Sequence, residues 1–286
     1  MTRHYSPSQV NTWLKCNAAW GWRYVHKLIT PPGAALVVGK AVHVPAEAWH
    51  TRGLALGNEW ALDAAITALP VEEAESIAAD AFDRFALGKD DKYPDGPPVD
   101  WTAQEEKQGE AKDRAVRMGR RYVEIVGPST GRPLACEEKT EVAPDGRDWT
   151  LTTILDAVTE GDGGIVTLRD TKSSGKSPSG AKDGNIIVPS DHRRQLAAYR
   201  YAWRTKTGAN PDQTAIDYLW AGKRDTSSAT APADVGDHDE AMLFKILDAM
   251  DKAIRAGMFA RNPDSWSCNS KWCGYHDRCW RSGEDV

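Results

Sequence analysis

Hydrophobic and polar positions divide the chain into a helical first half and a middle that is rich in strands. Ser6 followed by Pro7 is typical of a helix start, and Gly257 suits the end of the last helix. Helices are predicted at about residues 6–24, 36–50, most of 58–126, 191–205 and across the amphipathic stretch Leu243, Ile246, Leu247, Met250 and Ile254. Strands are predicted at residues 134–142, 149–158, 165–172 and 214–220. Breaks are predicted at residues 31–33 and 95–98.

This order of elements predicts one α/β domain over residues 1–286, with a mixed central sheet flanked by helices. Its parts are a helical insertion at about residues 50–130, a sheet core at about 134–220 and a cysteine-rich segment at 266–281. Residues 173–191 are rich in Ser, Gly, Lys and Pro and are predicted to form a mobile loop. Residues 224–239 form a polar stretch, and the sequence contains no internal repeat.

The hairpin predicted at residues 149–172 carries charged residues that could bind a metal ion and activate a water. Asp156 lies on its first strand, and Asp170 and Lys172 share one face of its second strand. Two neighbouring carboxylates can hold a hard divalent cation, and a lysine beside them can poise a water for attack. Asp-x-Lys is also a common pattern at strand edges, so a solvent-exposed pair is the alternative for these residues taken alone.

The composition indicates a globular protein rather than a general nucleic-acid coat. The net charge is −5 and the pI is near 5.8, whereas coat proteins are normally basic. Residues 169–206 nevertheless hold nine Lys or Arg against three Asp, a difference of +6. Within this basic stretch, Lys176, Arg193 and Arg194 are predicted to contact a polyanion. No apolar run approaches the about 20 residues of a membrane span, and residues 1–6 lack the apolar segment of a secretory signal, so a cytoplasmic protein is expected.

Three of the five cysteines, Cys268, Cys273 and Cys279, lie close together near the C-terminus. An odd count in a cytoplasmic protein disfavours a disulfide framework, so the spacing indicates a metal site that needs a fourth ligand. Cys16 is the first candidate and would join the two ends of the chain, whereas His276 would favour zinc. The fifth cysteine, Cys136, lies mid-strand, where a buried structural cysteine is common. Spacing leaves both a structural Zn²⁺ and an iron–sulfur cluster open.

These motifs occur in an order that resembles one family of nucleases. The matching residues are Ser6, Ser8, Cys16, Gly39, His43, Asp156, Asp170, Lys172, Gln195, Tyr199 and the three terminal cysteines. Together they are similar to the RecB-like nucleases of the PD-(D/E)XK superfamily, in particular the iron–sulfur branch of AddB-type, CRISPR-adaptation and phage exonucleases. The resemblance spans residues 6–280 and implies a restriction-endonuclease-like core. Four residues separate Cys268 from Cys273, where many relatives have two.

The resemblance also implies a role for each matching residue. The ligands of Mg²⁺ or Mn²⁺ would be His43, Asp156, Asp170 and the backbone carbonyl of Thr171. Lys172 would position or activate the attacking water, while Gln195 and Tyr199, one helical turn apart, would line the site. An upstream carboxylate often accompanies this set, with Glu138 as the expected residue and Glu137 as the alternative. The ligands of a 4Fe–4S cluster would be Cys16, Cys268, Cys273 and Cys279.

The implied function is that of a metal-dependent DNA exonuclease. It would hydrolyse phosphodiester bonds with metal-activated water, leave 5′-phosphate products and act on single-stranded DNA or duplex ends. The expected settings are DNA recombination and repair, phage replication or CRISPR adaptation, with recombination or CRISPR-adaptation proteins as partners, in a bacterial cytoplasm or that of a phage host. The alternative is a non-catalytic DNA-binding or adaptor protein that keeps the fold.

Overall fold

The computed structural model describes residues 2–90, 96–223, 225–284 and 286 and has a mixed α/β architecture. Its helices are α1 (Pro7–Lys15), α2 (Asn17–Tyr24), α3 (Ala34–Leu56), α4 (Leu62–Ala68), α5 (Val71–Ala86), α6 (Gln108–Arg121), α7 (Ser190–Thr207), α8 (Asp237–Arg255) and α9 (His276–Trp280). Its strands are β1 (Arg3–Tyr5), β2 (Arg132–Val142), β3 (Trp149–Glu160), β4 (Val166–Ser174), β5 (Gln213–Ala221) and β6 (Thr226–Pro232). A π-helical turn, Tyr122–Val126, extends α6.

The six strands form one mixed sheet in the order β1-β3-β4-β5-β6, with β2 paired to the other side of β3. Leu151 pairs with Val142 of β2 on one side and with Tyr5 of β1 on the other. On that second side β4 pairs with β3 only from Ala157 onward. Among the described strands, residues 152–156 of β3 therefore have no partner on the side that β1 and β4 share, which opens the sheet at Asp156.

Helices cover both faces of the sheet, and each face has its own core. On one face α1, α7 and α8 pack through Val10, Leu155, Leu168, Leu196, Ile216, Leu243 and Leu247. On the other face α3, α5 and α6 pack through Val38, Trp49, Phe82, Met118 and Leu219. The central strands β4 and β5 run parallel and are buried along most of their length, as expected for strands between two helical layers.

Ion pairs hold α7 in place and neutralise most of the positive charge between residues 169 and 206. Arg200 and Arg204 both bind Glu240 of α8, whose side chain is 5% exposed. Six of the nine basic residues between 169 and 206 form ion pairs with described residues: Arg169, Lys172, Arg193, Arg200, Arg204 and Lys206. The basic surface predicted from the sequence is therefore largely neutralised within the fold.

The long helix α3 approaches α6 very closely. It spans 23 residues, more than the predicted 36–50, although Pro45 lies in its interior. A Cβ on Gly119 of α6 would lie 2.9 Å from Pro45 Cγ and 3.0 Å from Ala78 Cβ. Glycine at 119 therefore permits this contact, since a side chain there would push α3 away.

Several element predictions need correction. The helix predicted at 6–24 is two helices, because Cys16 is extended and the Asn17 side chain donates to the Trp13 carbonyl at the end of α1. Strand β1 was missed because three residues show no period, and β6 was missed because its Thr and Ser residues lack an apolar alternation. The predicted loop at 173–191 contains one 3-10 turn, Ala181–Asp183. Residues 95 and 224 of the predicted break and polar stretch lie outside the described residues.

The remaining predicted helices and strands are confirmed to within a few residues, and so is a mixed sheet flanked by helices. Gly257 follows α8 with a φ of +67°, the left-handed conformation expected of a residue that ends a helix. None of the helices described is both long and apolar enough to cross a membrane.

Candidate active site

Three carboxylates lie side by side where the sheet opens. The β3–β4 ladder ends at the pair Ala157–Arg169, so the next residues to face each other are Asp156 and Asp170. On the other side of β3, the register of β2 places Glu137 opposite Asp156. Like charges opposite each other on neighbouring strands repel, so this row of carboxylates is costly unless cations or donors neutralise it.

Asp156 is the centre of this row and receives contacts from both faces of the sheet. Its Oδ2 accepts a hydrogen bond from the Thr171 backbone N–H at 3.1 Å, and its Oδ1 accepts one from the Tyr199 hydroxyl at 2.8 Å. His43 of α3 places Nδ1 3.5 Å from Asp156 Oδ2. The side chain of Asp156 is 15% exposed, so a small ligand can still reach it.

Asp170 is completely buried beside Lys172. Its Oδ1 lies 3.4 Å from the Tyr199 oxygen, whose single proton it shares with the nearer Asp156, and its Oδ2 lies 2.6 Å from the Lys172 ammonium. This ammonium is the one close partner of Oδ2 among the described residues. Burial raises the pKa of Asp170 to about 7 despite the opposing charge of Lys172. Each carboxylate oxygen has more than one lone pair, so this buried group can also bind a divalent cation.

Lys172 is held by α7 as well as by Asp170. Its ammonium donates to Gln195 Oε1 at 3.0 Å, and Gln195 Nε2 donates to the Tyr199 oxygen at 2.7 Å. Burial lowers the pKa of Lys172, but the charges of Asp170 and Asp156 outweigh burial and raise it above the usual value. Lys172 is therefore a positioned cation rather than a proton acceptor in the metal-free protein.

His43 supplies a neutral ring to the site. Burial of the ring lowers the pKa of His43, and the neighbouring carboxylate of Asp156 only partly offsets that effect. The imidazole is therefore uncharged at neutral pH, which is the form that binds metal ions. A third of the side chain remains exposed to the cleft.

Glu137 completes a group of ligand atoms. One atom each of His43, Glu137 and Asp156 lie within 4.8 Å of one another, and no other such group of three occurs among the described residues. Burial of the carboxyl and repulsion from Asp156, Glu47 and Asp170 raise the pKa of Glu137 to about 8. Glu137 as a whole remains exposed to solvent. Repulsion from the neighbouring carboxylates therefore explains its raised pKa better than burial does.

The structure places the alternative glutamate, rather than the expected one, at the cleft. The carboxylate of Glu138 pairs with Lys206 near the end of α7, whereas Glu137 lies among the ligand atoms. Glu137 has a φ of +47°, a left-handed conformation that is uncommon for a residue other than glycine and is often associated with functional sites. This local backbone change and the strand register decide which glutamate faces Asp156, and neither is visible in the sequence.

The site opens into a cleft of about 690 Å³, which is lined by all the expected catalytic and metal-binding side chains except Glu138 and the buried Asp170. Glu47, one helical turn after His43, also lines the cleft, and only its helical spacing could have indicated this. The predicted DNA contacts Lys176, Arg193 and Arg194 are not among the described lining residues. Both arginines have other partners: Arg193 binds Asp239, and Arg194 donates to the Asn11 side chain at 3.0 Å.

The four cysteines predicted to act together come from the two ends of the chain. Cys16 lies between α1 and α2, and the Asn262 side chain donates to the Lys15 carbonyl at 3.0 Å, which docks the C-terminal segment there. Burial raises the pKa of the Cys273 thiol, and the nearby Cys16, Cys279 and Cys268 raise it further. Cys136 lies elsewhere, on β2 against the Glu47 carbonyl.

Three of the four cysteines line one cavity. A cavity of about 530 Å³ is lined by Cys16, Cys268 and Cys273, and the Trp22 indole N–H donates to Cys279 Sγ at 3.4 Å. Among the described residues, no three cysteine sulfurs lie within 4.8 Å of one another. The ring of His276 packs near Trp280 instead.

Comparisons with known proteins give one family and one fold. The family model of the PD-(D/E)XK nuclease superfamily matches residues 4–280. Among solved structures, a "Putative exonuclease" from Eubacterium rectale is 12% identical with a TM-score of 0.50 and covers 99% of this chain and 89% of its own. The structure of SSO0001 is 11% identical with a TM-score of 0.34 and covers 93% of this chain and 94% of its own. None of the curated proteins compared matches in sequence.

The structural similarity at 12% identity shows the fold, and the family model extends over nearly the whole chain. It covers both the row of carboxylates and the cysteine segment. The chain therefore belongs to the PD-(D/E)XK nuclease superfamily.

Proposed function

We propose that the protein is a Mg²⁺- or Mn²⁺-dependent deoxyribonuclease that degrades DNA from its ends. The observation that carries this proposal is the meeting of His43, Glu137 and Asp156 directly beside the buried pair of Asp170 and Lys172. Carboxylate oxygens with one imidazole form a donor set that binds divalent cations such as Mn²⁺. The name of the structural relative and the RecB-like order of motifs support exonuclease action.

The residues of the site have separate roles in the proposed hydrolysis. A divalent cation held by His43, Glu137, Asp156, Asp170 and the Thr171 carbonyl would supply Lewis-acid polarisation of the phosphate and a lowered pKa for water. Lys172 directs its ammonium into the cleft, where it can donate to a non-bridging phosphate oxygen as negative charge develops. Gln195 and Tyr199 hold Lys172 and Asp156 in place through hydrogen bonds of 3.0 Å and 2.8 Å.

Replacing one buried carboxylate tests the proposed function. Asp170→Asn keeps the size of the side chain but removes its charge, so Mn²⁺-dependent loss of end-labelled DNA should slow by about 100- to 1,000-fold. Release of labelled nucleotides with time measures the rate, and covalently closed circular DNA reports internal cuts.

Unchanged degradation by Asp170→Asn would contradict the assignment of the site. Wild-type protein that binds DNA but releases no nucleotide with either metal would instead favour the adaptor alternative. An Asp212→Asn variant serves as control, because Asp212 accepts a hydrogen bond from the Val166 backbone at 2.8 Å outside the cleft.

The two adjacent glutamates form a matched pair of variants. Glu137→Gln should lower Mn²⁺ affinity by at least about 10-fold, because it removes a charged ligand. Glu138→Gln should leave affinity within about twofold and cost less than about 1 kcal/mol of stability, since its pair with Lys206 is partly exposed. Calorimetric titration with Mn²⁺ measures both, and equal losses would remove the distinction between the two residues.

In the metal-free protein, the contribution of Asp170 and Glu137 to stability should fall as the pH rises from about 4 to about 8. The pKa of Asp170 is raised from 3.8 to about 7 and that of Glu137 from 4.5 to about 8. At these two positions the folded state therefore binds more protons than the unfolded chain in this window, so both groups stabilise it at low pH and cease to do so as the pH rises. In chelator, the Tm of wild type minus that of Asp170→Asn should decrease as the pH rises, because the other titrating groups are common to both proteins; an unchanged difference would contradict the shift.

We further propose that the four cysteines hold a 4Fe–4S cluster that joins the ends of the chain. Support comes from the shared cavity, the indole N–H donated to Cys279 and the influence of the other three thiols on Cys273. Such a cluster would be structural, because it would fix α1 and α2 against the C-terminal segment.

Iron analysis of anaerobically purified protein tests this assignment. Wild type should contain about four iron atoms per chain, and Cys273→Ser should lose most of them together with thermal stability. Cys136→Ser should keep its iron because that thiol lies apart from the others. A colourless wild-type protein containing zinc and no iron would overturn the cluster in favour of a zinc site.

A further inference from the structure

A chain of buried polar groups links α3 to β4 behind the candidate site. His50 lies two turns after His43 on the same face of α3 and is 1% exposed. Its Nε2 is 2.7 Å from the Tyr122 hydroxyl, and the Thr171 side chain lies next to that same phenol. The Thr171 N–H in turn binds Asp156. These contacts connect the helix that carries His43 with the strands that carry the carboxylates.

A second set of buried groups supports the same strand. Arg169 donates to both oxygens of Asp217, at 2.9 and 3.1 Å, and to Thr159 at 3.1 Å. Asp217 also accepts a hydrogen bond from Thr230 and lies opposite Thr171 in the β4–β5 ladder. Thr171 is therefore held from the side of α3 and from the side of β5.

His50 acts here as a fixed neutral group. Burial, and then the charge of Arg169, lower the pKa of His50 to about 3, so the ring stays uncharged over the working range of pH. It neither carries protons to the cleft nor lines it, because the cleft is lined on α3 by residues nearer its start. Its remaining contribution is the geometry of its hydrogen bond with Tyr122.

Stability alone does not account for this arrangement. His50 Nδ1 is buried without a hydrogen-bond partner among the described residues, which carries a cost. Apolar side chains of similar volume often stabilise a core equally well or better. Tyr122 also begins the π-helical turn after α6, and such turns occur frequently at functional sites. The directional hydrogen bonds therefore fix the relative position of the helix and strand that they join.

We propose that His50 and Tyr122 are positioning residues that fix α3 relative to β4, so that His43 faces Asp156 at metal-binding distance. The inference rests on the metal site of the proposed function and adds two residues that do not themselves touch the cation or the DNA. Neighbours of metal ligands of this kind commonly alter metal affinity by 10- to 100-fold when they are changed.

Metal binding, measured without DNA, tests the inference. Tyr122→Phe removes one oxygen and should weaken Mn²⁺ binding by about 10-fold in calorimetric titration. The matched control is Tyr5→Phe, which removes the hydrogen bond of another phenol that is 1% exposed, to Asp251 at 2.7 Å. The control should show a comparable change in Tm and unchanged Mn²⁺ affinity.

A double-mutant cycle separates positioning from general disturbance. In a His43→Ala background there is no ring to position, so Tyr122→Phe should have little further effect on affinity. If Tyr122→Phe does not fold, Thr171→Val removes the link from its other end and keeps the backbone groups of residue 171.

Three outcomes would overturn the inference: wild-type affinity in Tyr122→Phe, an equal loss in Tyr5→Phe, or the full effect persisting without His43. Wild-type protein that binds no Mn²⁺ at all would instead overturn the metal site of the proposed function. The two failures are therefore distinguishable in the same titrations.

Discussion

The repulsion among three carboxylates in one row is the constraint on which the site depends. Glu137, Asp156 and Asp170 lie on three adjacent strands, and two unit charges 4 Å apart repel by about 4 kcal/mol near a protein surface. The fold offsets this repulsion with the ammonium of Lys172 and with the hydrogen bonds to Asp156. The β3–β4 ladder ends at this row, which leaves space beside Asp156.

The two layers of helices contribute different groups to this opening. From one face, α3 brings His43, and from the other, α7 brings Gln195 and Tyr199. Each helix is anchored away from the cleft: α7 through its arginines to Glu240, and α3 through its contacts with α6. The geometry at the centre therefore depends on packing at a distance, and the row of carboxylates alone would not define it.

The local part of the site could be predicted from the sequence and the long-range part could not. Asp170 and Lys172 share a face because alternation is a property of any strand, and Gln195 and Tyr199 follow from helical spacing. The choice between Glu137 and Glu138 depends on a left-handed residue and on strand register. Likewise, a count of basic residues cannot show that Arg193 binds Asp239, 46 residues further along the chain. Such pairings exist only once the chain has folded.

The close approach of α3 and α6 has a mechanical consequence. Helix α3 contacts α6 where Pro45 meets Gly119, and it contacts the π-helical turn that extends α6 where His50 meets Tyr122. A single contact would let α3 rotate relative to α6. Two contacts fix both the direction of α3 and its rotation about its own axis. His43 lies two residues before Pro45, a rise of about 3 Å along the helix. Because it is so close to this fixed contact, a tilt of α3 would hardly move His43 away from the sheet.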